Sequence, residues 1–149
     1  MKNLSLIALL FLVSCGSNSS DERKNGYSDV PKNPEDSLFQ DVMKLHDEAM
    51  SKMKKLAVYR NQLNSRVDSI NKIKSSAKES LAKKYSELST ELQHAEDEMN
   101  TWMEQFSIDS AQDDVSRRIT YLESEKAKVS RVKDEILSAL SKADSALKE

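Results

Sequence analysis

The chain of 149 residues is 32% charged and only 5% aromatic, with a formal net charge of −2. Charges of both signs are interspersed, which excludes the basic stripe that a nucleic-acid footprint needs. Two glycines and two prolines occur, none beyond Pro34, so the remainder lacks the strongest helix breakers; long amphipathic helices are favoured and sheet-based folds excluded.

Residues 1–14 carry Lys2 ahead of an apolar run from Leu4 to Val13 broken only by Ser5. That is the layout of a secretory signal peptide, too short to cross a bilayer as a helix of roughly 20 residues. Leu12, Val13, Ser14 and Cys15 resemble a bacterial lipobox, in which the cysteine is acylated and becomes the first mature residue. Cys15 is the only cysteine of the chain, so its other fates are a free thiol or an intermolecular disulfide. One acyl chain holds a protein only marginally, whereas several anchor it durably. The expectation is therefore a covalent lipid such as palmitate on Cys15 and a membrane as the first partner. Removal of residues 1–14 takes away Lys2 and leaves a mature net charge of −3. Gly16, rather than aspartate, follows the cysteine, which points to the outer membrane. Ser20, Asp21 and Glu22 weakly resemble acidic surface-export signals, but Arg23 and Lys24 follow; periplasmic and surface exposure both stay open.

Residues 15–33 form the lipidated cysteine and a tether. The stretch "GSNSSDERKNGYSDVPKN" is polar and lacks apolar periodicity, so it cannot bury enough surface to offset its ordering entropy. Asn33 followed by Pro34 reads as an N-cap and first helical residue. The spacing then predicts an all-α domain over 34–149. Its first helix, about 34–74, carries Leu38, Val42, Leu45, Ala49, Met53, Leu56, Leu63, Val67 and Ile70 as a stripe, flanked by Phe39, His46, Met50 and Ala57.

The second helix, about 77–106, follows a strict heptad seam through Leu81, Tyr85, Leu88, Leu92, Ala95, Met99, Trp102 and Phe106. The third, about 111–147, carries Val115, Ile119, Leu122, Val129, Ile136, Leu140, Ala143 and Leu147, with Lys126 and Lys133 where two more apolar residues are expected. Ser76 with Glu79 and Ser110 with Asp113 are spaced as capping boxes at the two breaks. With both turns formed, the chain is a three-helix antiparallel, up-down-up, coiled-coil-like bundle about 45–55 Å long; with neither, it is a rod of about 170 Å. The wide apolar face of the first helix suits a helix with two neighbours, and so favours the bundle.

Catalytic parts are missing. No glycine-rich loop follows Pro34, and His46 and His94 lie on different helices without an H-E-x-x-H pair. "ELQH", residues 91–94, matches one half of a ferritin-like carboxylate site, but the second copy is absent and His94 lies well off the apolar stripe. The sequence predicts no enzyme and no resident cofactor.

Five methionines fall in two windows, Met43, Met50 and Met53 and then Met99 and Met103. A turn near residue 75 brings these windows together. Thioethers and an imidazole are soft ligands, so Met43, His46, Met50 and Met103 are candidates for a Cu(I) site. Packing against aromatics is the plainer role for such methionines. Phe39, Met99, Trp102 and Phe106, at the end nearest the tether, are candidates for docking a protein partner of unknown identity.

The segments "HDEAMSKMKKL" (46–56) and "AEDEMNTWMEQF" (95–106), behind a lipobox, resemble a family of small helical bacterial lipoproteins filed under the name "viral A-type inclusion protein". That resemblance implies the architecture and no established activity. The functional expectation is a membrane-anchored structural or protein-interaction module of the cell envelope. Its alternatives are a periplasmic copper-binding protein and an elongated coiled-coil spacer between envelope layers.

Overall fold

The computed structural model of the chain describes residues 31–72 and 76–148. The signal peptide, Cys15 and nearly all of the tether expected from the sequence lie outside the described residues. Among the described residues there are three helices, α1 (Pro34–Asn71), α2 (Ser76–Gln105) and α3 (Val115–Leu147). They pack as an antiparallel three-helix bundle, every pair of helices in contact, so the unbroken rod is ruled out. Among the described residues no helix is long and apolar enough to cross a membrane.

The start of α1 follows from its first residues. The Asn33 side chain accepts from the Asp36 backbone N–H at 2.7 Å, Pro34 occupies the first turn, and Glu35 and Asp36 place negative charge at the helix N-terminus, each a stabilising choice there. From there α1 buries Val42, Ala49, Leu56 and Leu63, one residue per heptad.

The two flanks of that column face different neighbours. Asp41 meets Lys126, Glu48 meets Lys133 and Tyr59 meets Asp144, each pair separated by 85 positions; a constant offset means that α1 and α3 run parallel. On the other flank Phe39 stacks on Phe106, His46 meets Met103 and Arg66 meets the Tyr85 hydroxyl. These pairs close toward residue 75, as an antiparallel hairpin of α1 and α2 requires.

In α2, Tyr85, Leu92 and Met99 form one buried column and Leu88, Ala95 and Trp102 the other, which is the heptad seam expected for this helix. The third helix differs from the expectation. Its buried residues are Arg118, Leu122, Glu125, Val129, Val132, Ile136, Ala139, Leu140, Ala143 and Ala146. The inner column thus runs 118, 125, 132, 139, 146 rather than through Lys126 and Lys133. Those lysines belong to the flank facing α1, where Asp41 and Glu48 receive them, and Val115 is exposed.

The boundary of α3 also moves. Ala111 adopts φ 56°, a left-handed conformation that costs an L-residue roughly 1–2 kcal/mol and cannot sit inside a right-handed helix. The cap is Asp114, whose side chain accepts from Arg117 N–H at 3.0 Å, instead of Ser110. Tyr121 and Arg118 hold the preceding turn from α3: the Tyr121 hydroxyl accepts from Ser107 N–H at 2.7 Å, and Arg118 donates to the Ser110 carbonyl at 2.7 Å.

Candidate functional site at the tether end

The start of α1, the end of α2 and the start of α3 meet at one end of the bundle, the end that carries the N-terminus of α1. An aromatic stack closes it. Phe39 and Phe106 lie with ring centroids 6.3 Å apart, Phe106 and Trp102 at 4.9 Å, and Phe106 and Tyr121 at 6.2 Å, all within the range in which aromatic pairs attract beyond simple burial. The guanidinium of Arg118 sits 5.9 Å from the centroids of both Phe39 and Tyr121, a cation–π arrangement.

Beneath the stack, Trp102 is buried and its indole N–H donates to Glu125 Oε2 at 2.9 Å. Glu125 is only 4% exposed, and its second oxygen accepts from Lys128 at 2.7 Å. Placing a carboxylate in a helix seam is costly unless its lone pairs are met, and both oxygens have donors here. Among the described residues no buried side-chain polar atom lacks a partner.

His46 lies beside this core. Its ring is 5.7 Å from that of Trp102, Nδ1 is 3.0 Å from Asp47 Oδ1, and Nε2 is 3.4 Å from Met103 Sδ. The two methionine windows therefore do meet. Met43 and Met50 stand one turn before and one turn after His46; Met43 is half-buried and Met50 is 36% exposed. Met99 is fully buried in the core and has no surface for a partner. Phe39 and Phe106 are half-buried in the stack.

No family model, curated protein or solved structure matches this chain. The resemblance to the small lipoprotein family therefore rests on its two segments alone, and the site is read from its own chemistry. His94 of α2 is exposed and stands 3.8 Å from Glu98. Among the described residues no three His, Cys, Asp or Glu side chains converge as metal ligands.

Arg118, Glu125 and Tyr121 are the site residues the sequence did not single out. A usable signal existed: Val132, Ala139 and Ala146 are spaced by seven, and stepping the same interval backwards lands on Glu125 and Arg118. Outside the stack, Ile108 and Val115 are 51% and 62% exposed. A groove of about 380 Å³ lined by Glu35, Asp36, Phe39, Ile108, Gln112 and Arg118 opens beside them.

Proposed function

We propose that the protein is an acylated lipoprotein of the bacterial outer membrane, held by Cys15, whose bundle serves as a non-catalytic docking module for a protein partner at its tether end. One observation carries this reading. The end that carries the start of α1 exposes Ile108 and Val115, and Ile108 lines a groove with Glu35, Asp36 and Arg118.

Apolar side chains rimmed by carboxylates suit a segment that presents apolar residues flanked by Lys or Arg. Asp109 is exposed nearby, whereas Asp113 is paired with Arg117 at 3.1 Å and Arg118 also lines the groove. The carboxylates oppose an anionic bilayer surface. Eighteen residues, 16–33, separate Cys15 from the start of α1, which keeps this end within reach of membrane-proximal proteins.

The test places a photo-crosslinking amino acid at position 108, and separately at Asp68 near the opposite end of α1, in the full chain in intact cells. The docking reading expects a discrete adduct with another protein from position 108 and none from position 68. Equal labelling from both positions, or adducts of the protein with itself alone, would overturn it.

A further inference from the structure

We propose that His46 Nε2 and Met103 Sδ are two ligands of a site for one soft monovalent cation, Cu(I), set between α1 and α2 beside the face of Trp102. The Asp47 carboxylate at 3.0 Å from Nδ1 is an acceptor, so in neutral His46 the ring proton sits on Nδ1 and Nε2 carries a lone pair. That lone pair faces a thioether sulfur at 3.4 Å, and a thioether has no proton to give. In that tautomer Nε2 and Sδ both present lone pairs across 3.4 Å, and one soft cation can accept both.

The separation suits such an ion. With metal–nitrogen and metal–sulfur bonds of about 2.0 and 2.3 Å, a spacing of 3.4 Å subtends about 105° at the metal, close to the tetrahedral angle. The ion then lies off the Nε2–Sδ line, and rotation about the unbranched Met103 side-chain bonds brings Sδ to it.

Ligand type selects the metal. Thioether sulfur is soft and favours Cu(I) over the harder divalent ions. Asp47 acts behind the imidazole as the carboxylate partner that fixes its tautomer, as outer-shell carboxylates do for metal-bound histidines. The indole ring, 5.7 Å from the His46 ring, offers a π face to the cation. Met43 and Met50 lie one helical turn to either side of His46; unbranched and mobile, either supplies a third sulfur by rotation about its side-chain bonds. The site stands apart from the docking reading, since neither Ile108 nor Val115 belongs to it.

The experiment uses the full chain carrying Cys15→Ser, so that no thiol competes, with Cu(I) held anaerobically under reductant and shared with a chromophoric chelator of micromolar affinity. The expected result is withdrawal of one equivalent of Cu(I) from the chelator with quenching of Trp102 fluorescence, the only tryptophan. Met103→Leu and His46→Gln should each weaken binding at least tenfold and remove the quench, while Met53→Leu leaves both unchanged. Circular dichroism of each variant confirms the fold, and either His46→Gln or Met103→Leu suffices should the other unfold. Copper that stays with the chelator, or a folded Met103→Leu that binds as tightly as the parent, would overturn the site.

Discussion

Trp102 and Glu125 show how a single pair sets the character of the aromatic end of the bundle. The indole N–H and the carboxylate satisfy each other inside the bundle, and each is costly to leave alone. Trp102→Phe removes the donor from a carboxylate that stays buried, for which a loss of about 2–3 kcal/mol is expected. Glu125→Gln keeps an acceptor for the indole and gives up chiefly the charge contact with Lys128, which is half exposed, so about 1 kcal/mol or less should be lost. Urea unfolding of the two variants checks the order. A Glu125→Gln loss as large as that of Trp102→Phe would show that the charge, rather than the hydrogen bond, holds this end together. Sequence reading identified Trp102 as important but left its partner unnamed, because a glutamate in a heptad core column looks like an ordinary surface residue until the neighbouring helix is placed.

At the scale of the helices, α1 and α2 were legible because their apolar residues keep heptad spacing over many turns, and the caps at Asn33 and Pro34 are local chemistry. The third helix was harder. Two of its inner positions hold Arg118 and Glu125, while a neighbouring column holds Ile119, Leu140 and Leu147, so apolar counting settles one residue away from the true seam. The lysines at 126 and 133 then look like defects, whereas they reach carboxylates of α1 on the flank. Its start was misplaced as well, since no glycine marks the left-handed turn residue and Ala111 takes that conformation itself.

The far end of the α1–α3 pair offers a pH test of how the helices hold each other. A hydrogen bond from Lys148, and then one from Tyr59, hold the Asp144 carboxyl below its usual range, and Asp144 in turn raises the Lys148 ammonium. Because the folded value of Asp144 is lowered, the stabilisation it brings is fully present above the ordinary carboxylate range and is lost as pH falls through the lowered value. The raised Lys148 acts in the opposite sense: its contribution is present below the ordinary lysine range and disappears as pH rises through the raised value. Tyr59→Phe removes the Tyr59 hydroxyl from Asp144 at 2.7 Å. Stability measured against pH should show a small deficit for Tyr59→Phe at neutral pH that vanishes in acid. A deficit independent of pH down to the acid limit would mean that the hydroxyl contributes through packing alone.

For the molecule as a whole, the decision between rod and bundle was legible in the breadth of the α1 apolar face, because a helix touching one neighbour does not need flanks on both sides of its stripe. The juxtaposition of His46 and Met103 follows from the hairpin, once the turn near residue 75 is accepted. The sequence placed Phe39, Trp102 and Phe106 at this end but left out Tyr121, Arg118 and Glu125, whose arrival beside them depends on where α3 begins and which column of it faces inward. The account of function stands on where that end is held. If Cys15 is the attachment point, the aromatic end, its acidic groove and the His46–Met103 pair all lie on the membrane side of the bundle.

Intact-mass spectrometry of the protein extracted from the membrane fraction tests that claim most directly. The account predicts a chain that begins at Cys15, lacks residues 1–14, and carries the added mass of several acyl chains, lost together with membrane association in Cys15→Ser. A full-length or cleaved chain with an unmodified thiol, recovered from the soluble fraction, would contradict it.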